Sequence, residues 1–340
     1  MSLNSDKIIK LIKAKCIVGL IILSSALCAK VDIQDWSTQK GVEGSINIDT
    51  ETSNSSLKEV IVAVIDTGVD PSHPSLKNKL VTYVNGKFKN ATKSDYGRDF
   101  SPQSLTFKRP YDENGHGTHI ASIIVKVSRN AKVLPIKYFN KNATEEENLN
   151  ATIDAIKFAI NSGVKIINYS SGGSGKSKLE KEVINLANKK GVLLIAAAGN
   201  FGEDIDKDGL QYYPASYNNQ NIISVINHGR KYQVHKTSNF GQKSADISAP
   251  GTNILGAFPN ERYGNLTGTS QSTAFVSATA AMIKGIIPDL SHQKIKNYIL
   301  NGSTKVSNLH NKCISSGVLN VKKTINLVKE QLKRNFASNK

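Results

Sequence analysis

Five short runs constrain this chain more than any other feature: Val60 to Ile65, Lys132 to Tyr138, Val164 to Tyr169, Val192 to Ala197 and Ile222 to Ile226. Each is rich in Val, Ile, Leu or Ala and is largely apolar on both of its alternating faces. Such a strand must be covered on both sides, which is the habit of parallel sheets. The intervening stretches, around Gly117 to Val125, Glu145 to Ile160 and Lys178 to Lys189, carry helical periodicity, and a long helix opens at Thr269. Alternating strands and helices predict an α/β domain with a mostly parallel central sheet and helices on both faces. Ligands of such a sheet gather where the loops leave the carboxyl ends of the strands.

At 340 residues the chain has room for one large domain and short extensions. Lys7, Lys10, Lys13 and Lys15 precede the apolar run Ile17 to Leu23, and Ser24, Ser25 and Ala26 follow it, which is the pattern of a secretory signal peptide over residues 1–29. The run is too short for a bilayer span, so export as a secreted or periplasmic protein is expected, with no membrane span in the mature form. Leu27 is too bulky for the usual lipoprotein cleavage site, which argues against a lipid anchor at Cys28. The expected division is then a signal peptide at 1–29, an extension at 30–57, the main domain at 58–327 and a basic tail at 328–340. Losing four lysines and one aspartate with the signal lowers the formal charge from +17 to +14. The basic residues are scattered and not interleaved with aromatics, so no specific nucleic-acid partner is read from them. A monomer is expected.

Three stretches carry chemistry. In "VIVAVIDTGVDPSHPSL", Asp66 ends an apolar strand, where a carboxylate is costly unless partnered. In "DENGHGTHIAS", His116 opens a small-residue helix between two glycines and can present its ring at a cleft. His119 follows three positions later, so metal binding competes, although no third ligand is near in sequence. In "GTSQSTAFVSATAAMIKG", Ser270 stands at a helix entrance crowded with hydroxyls. A serine nucleophile needs a base and a carboxylate to orient that base, and the chain order Asp, His, Ser differs from those of chymotrypsin-like enzymes and α/β-hydrolases.

These stretches, together with "AAAGN", "SNFG" and "SAPG" in the same order, resemble the subtilisin-like serine proteases from about Val60 to Asn320. The resemblance implies the three-layer subtilisin-like fold and a serine endopeptidase acting on proteins or peptides. It makes Asp66 the orienting carboxylate, His116 the general base and acid, Ser270 the nucleophile and Asn200 a side-chain donor to the oxyanion. It also makes Ser170, Ser171, Gly172, Ala197, Ala198 and Gly199 walls of the substrate pocket, with Tyr212 at its base. An esterase or amidase on the same fold, and a silent binding domain, are the alternatives.

Departures from the family pattern are specific. Gln271 and Ala274 stand where methionine and proline are usual. The segment from His116 to Lys137 is too short for the family's tight calcium loop, and Ser75 replaces an expected acidic ligand, so no tight calcium site and no other cofactor is expected. Asp204, Asp206 and Asp208, followed by Gly209, match half of a calcium loop whose twelfth position is Ala215, which makes a solvated acidic loop the better reading and a weak calcium site the other. Glu145, Glu146 and Glu147 follow Thr144, which fits a capping box better than a binding surface for basic substrate residues.

Overall fold

The computed structural model describes residues 35–49 and 57–338, the side chains of 335–338 excepted. The expected signal peptide, with Cys16, Cys28 and the cleavage point, lies outside the described residues. The strands are β1 Val60–Asp66, β2 Val81–Val84, β3 Lys87–Asn90, β4 Arg98–Asp99, β5 Ala131–Lys137, β6 Ile166–Tyr169, β7 Leu193–Ala197, β8 Ile222–His228, β9 Ile247–Pro250, β10 Ile254–Phe258, β11 Arg262–Leu266, β12 Thr304–Lys305 and β13 Gly317–Val318. The helices are α1 His116–Val127, α2 Glu145–Ser162, α3 Lys178–Lys189, α4 Thr269–Ile286, α5 His292–Asn301 and α6 Val321–Ser338.

Nine strands form the main sheet in the order β12-β13-β9-β8-β7-β6-β1-β5-β4. Every neighbouring pair is parallel except β12 with β13. The pleat of β1 divides the layers. Val60, Val62 and Val64 enter one core with Ile120 and Ile124 of α1 and Phe275 and Met282 of α4, while Ala63 and Ile65 enter another with Ile156 of α2 and Ile184 of α3. Alternate side chains of a strand face opposite ways, so a run apolar throughout is what two such cores require.

Helix α4 explains how a hydroxyl-rich segment can be buried. Its small side chains let it pass close to the sheet, and its hydroxyls find acceptors without water. Thr273 and Thr279 bond the carbonyls of Thr269 and Phe275, each at 2.8 Å, and Ser272 bonds the Ala249 carbonyl at 3.0 Å. Ser277 donates to Asn168 Oδ1 of β6 at 2.9 Å. Buried polar groups of this kind are costly only when unmatched.

The ends of the chain differ from expectation. The described residues from Asp35 onward belong to one compact unit, so residues 35–49 of the stretch read as an extension are built into the fold. Trp36 and Ile46 are buried in the core, Trp36 Nε1 donates to the Thr252 carbonyl at 3.3 Å, and Val321 N donates to Ile46 O at 2.9 Å. At the other end α6 runs through the boundary drawn at 327/328, with Val328 fully buried, because its apolar face packs on the same core as α4. Among the described residues no helix is long and apolar enough to cross a membrane.

Candidate active site

Asp66 is the last residue of β1 and Ser270 the second of α4, so both stand at the carboxyl edge of the sheet. His116 opens α1, whose N-cap Gly115 has a left-handed backbone at φ 99°. The helix start delivers the ring to Asp66: His116 Nδ1 donates to Asp66 Oδ1 at 2.7 Å. Asp66 is 4% exposed and the imidazole 27%. Burial works against a charged imidazole. The Asp66 carboxylate opposes it through charge and the hydrogen bond, Asp112 adds to this, and the net result is a raised His116 pKa.

Asp112 is the site residue that motif reading passed over. Fully buried, it accepts from Thr67 Oγ1 (2.8 Å), Gly115 N (2.8 Å), Asn114 N (3.1 Å), Thr118 N (2.8 Å) and Thr118 Oγ1 (2.6 Å). Thr67 also accepts from Gly117 N at 3.0 Å, while its own N–H donates to Asp66 Oδ1 at 2.8 Å. One carboxylate thereby ties the end of β1 to the start of α1 and sets the angle at which His116 meets Asp66. The available signal was an acid four positions before the histidine within the same motif.

Ser270 is 7% exposed, and its hydroxyl donates to the Ser170 carbonyl at 2.9 Å rather than to His116. Catalytic hydrogen bonds to a nucleophile are often unformed without substrate. Ser170 is itself braced: Asn168 Nδ2 donates to Ser170 Oγ at 2.8 Å, and Ser170 Oγ donates to Ser270 O at 3.3 Å. Asn200 Oδ1 accepts from Thr269 N at 2.9 Å and Thr269 Oγ1 at 3.2 Å. Its Nδ2 is left as a donor beside a helix N-terminus, where first-turn N–H groups lack intrahelical acceptors. An imidazole held by a carboxylate, together with a hydroxyl and donors grouped at a helix start, is the set of groups that acyl transfer uses.

The remaining expected residues fall into two groups. Segments 170–172 and 197–199, from the ends of neighbouring strands β6 and β7, flank Ser270, with Tyr212 between them in contact with Gly172 and Gly199. Ala197 and Ala198 are buried, so that wall is presented through the backbone and Gly199. By contrast, His119 stands away from proton transfer. Its Nε2 bonds the carbonyls of Ile254 and Gly264 at 3.1 and 3.3 Å, and burial pushes its pKa down to about 4. It fastens α1 to the β10-β11 hairpin.

Among the described residues no three His, Cys, Asp or Glu side chains group as a metal site. Asp206 caps a turn, its two oxygens accepting from Ser244 N and Lys243 N at 2.9 and 2.8 Å, and Asp204 Oδ1 accepts from Asp206 N at 3.2 Å. Ser75 Oγ pairs with the Tyr263 hydroxyl at 2.8 Å. Thr144 and Glu147 form the capping box, with Glu147 Oε2 accepting from Thr144 N at 2.8 Å.

Comparison with known proteins gives a consistent picture. The model of the Subtilase family matches residues 57–317. The chain is 34% identical over 248 residues to the major intracellular serine protease of Bacillus subtilis (strain 168), covering 70% of this chain and 72% of that protein. It is 30% identical over 270 residues to Subtilisin Savinase of Lederbergia lenta, covering 77% and 88%. Among solved structures, the protease domain of PatA, as a serine-to-alanine mutant, aligns with a TM-score of 0.63 at 25% identity over 82% of this chain and 98% of that one. A lanthipeptide protease aligns with a TM-score of 0.66 at 20% identity over 79% and 87%, a likeness of fold.

Proposed function

Because this chain belongs to the subtilase family and is a serine-type endopeptidase, we propose that it cleaves peptide bonds through an acyl-enzyme formed on Ser270. The observation that carries the reading is the 2.7 Å bond from His116 Nδ1 to Asp66, with Ser270 at the adjoining helix entrance. His116 takes the Ser270 proton as the hydroxyl attacks the scissile carbonyl, then gives it to the leaving amine. Water repeats the sequence on the ester. Asp66 holds the Nδ1–H tautomer and stabilises the imidazolium. Asn200 Nδ2 and the Ser270 N–H receive the developing oxyanion. In subtilisin, the prototype of the family, one such side-chain donor contributes about 2.7–4 kcal/mol to the transition state.

Protein or peptide substrates are delivered to the sheet's carboxyl edge, and the enzyme acts as a monomer, without a nucleic-acid partner and without a cofactor in the reaction. Export rests on the lysine, apolar and small-residue order of residues 1–29, and the wall residues 170–172 and 197–199 with Tyr212 form the pocket beside Ser270. A fluorophosphonate probe tests the chemistry, because it forms its adduct only with an activated serine. The wild-type chain is expected to label and to digest casein. Ser270→Ala is expected to remain folded and do neither, with a rate loss on the order of 10⁶-fold, the scale seen in subtilisin. Labelling of Ser270→Ala at the wild-type rate overturns the assignment.

A further inference from the structure

The slot beside the nucleophile is already occupied. Beyond the ends of β6 and β7 the chain parts into two walls, and both adjoin the helix entrance that holds Ser270. The Ser170 carbonyl accepts Ser270 Oγ at 2.9 Å, and Gly199 N donates to Thr269 Oγ1 at 3.2 Å. On the endopeptidase reading proposed above, this slot is the pocket for the side chain on the acyl side of the scissile bond. Tyr212 lies in it. A Cβ built on Gly199 would stand 3.0 Å from both Cδ atoms of the Tyr212 ring, so the ring lies face-on against that wall. A Cβ on Gly172 would stand 2.6 Å from Cε1 and 3.1 Å from Cζ, so the ring also reaches the opposite wall. Glycine on both walls is what allows an aromatic ring to fit between them.

The ring is held there by its backbone. Tyr212 N donates to Ser216 Oγ at 3.1 Å and Ser216 N donates to Tyr212 O at 2.8 Å. Tyr213 exchanges two bonds with Gly173, at 2.7 and 2.9 Å, which fastens the Tyr212 loop to one wall. The result is a side chain only 7% exposed, with half-exposed Phe201 packed against it at a ring separation of 6.0 Å. Moving the ring aside requires breaking these bonds or opening the aromatic contact, whereas accepting a methyl group or a hydrogen requires neither.

We propose that Tyr212 sets specificity by filling the slot beside Ser270, so that the enzyme cleaves after glycine, alanine or serine and rejects branched and aromatic residues at that position. The inference rests on the endopeptidase reading and names its substrate class. Its energetic basis is steric, since a larger side chain entering a filled site must displace packed atoms, whereas a methyl group or a hydrogen displaces none.

The test is a peptide library varied only at the residue before the scissile bond, applied to wild type, Tyr212→Phe and Tyr212→Ala. Wild type is expected to show kcat/KM at least about ten-fold higher for Ala than for Leu or Phe. Tyr212→Phe keeps the same order, because the ring remains. Tyr212→Ala brings Leu and Phe up by at least about ten-fold relative to Ala, with fluorophosphonate labelling reporting that its site is formed. A labelled wild type that cuts after Leu and Phe as readily as after Ala overturns the inference alone, and so does a labelled Tyr212→Ala with the wild-type order. A wild-type chain that neither labels nor cleaves any member removes the endopeptidase reading and this inference with it.

Discussion

Asp66 and Glu180 are buried to nearly the same degree, at 4% and 3% exposure, yet their surroundings differ in kind. Asp66 accepts from the His116 imidazole and from Thr67 N, at 2.7 and 2.8 Å. Glu180 lies on the buried face of α3 among tyrosines, near Tyr169, Tyr212 and Tyr217, with the Tyr217 hydroxyl as its polar neighbour and no salt bridge among the described residues. Burial pushes its pKa up to about 7, and the Tyr217 hydroxyl only partly opposes this. Burial by itself therefore does not decide what a carboxyl does. The partner supplied by other elements decides whether it holds an imidazole, as Asp66 does, or keeps its proton to about pH 7, as Glu180 does.

The comparison breaks first at Asp66. Asp66→Asn keeps the size of the side chain but removes the charge that favours the His116 imidazolium, and its NH2 can donate to Nδ1 and select the wrong tautomer. A loss in kcat on the order of 10⁴-fold is expected, on the scale of the corresponding change in triad enzymes. The sign of the pH effect follows from the cause. His116 has a raised pKa on account of Asp66, so removing the charge lowers it, and the acid limb of kcat/KM moves to lower pH. An acid limb left in place would show that Asp66 does not govern this imidazole.

Glu180→Gln should sharpen the contrast, because here the charge is a liability. The folded state holds the Glu180 proton up to about pH 7, whereas the unfolded chain releases it near the ordinary value of 4.5. As pH rises from 4.5 to 7 the unfolded state therefore loses protons first and the wild type loses stability, levelling off above 7. The glutamine variant escapes this loss. In urea unfolding, the variant-minus-wild-type difference should be more favourable at pH 8 than at pH 4 by on the order of 2–3 kcal/mol. Equal differences at the two pH values would show that Glu180 is ionised without cost.

The smallest expected effect is that of Tyr217→Phe. The hydroxyl donates to Ser177 O at 2.8 Å and accepts from Ser177 N at 3.1 Å, bracing the N-cap of α3. Its loss should cost about 1 kcal/mol in urea unfolding. Because the same hydroxyl lowers the Glu180 pKa, the variant should also move the pH-dependent step in stability upward.

Much of this molecule is legible along the chain. The runs at Val60 to Ile65 and Ile222 to Ile226, and the helix Lys178 to Lys189, are visible because strand and helix periodicities involve residues no more than a few positions apart. The Thr144 and Glu147 capping box belongs to the same class, as one residue is three positions from the other. Asp66, His116 and Ser270 could be singled out because each ends a strand or opens a helix within a short, distinctive stretch, and Asn200 through the family resemblance of the stretch that follows β7.

What chain order leaves open are the properties created when distant segments meet. The motif containing Asp112 does not reveal that its carboxylate gathers five donors from both sides of the His116 loop. Trp36 reads as part of an extension until its indole reaches Thr252, 216 positions away. Glu180 stands in the first turn of α3, and only the packing of that helix turns it toward three tyrosines from two other segments. Tyr212 meets Gly172 and Gly199, from two other segments, only in the folded chain. The sequence by itself determined the main secondary elements and singled out Asp66, His116 and Ser270 as candidates, since periodicity and short motifs are local properties. The tertiary structure alone decided which buried carboxyl is partnered and what packs beside Ser270, because charge stabilisation and packing depend on distances between segments far apart in the chain.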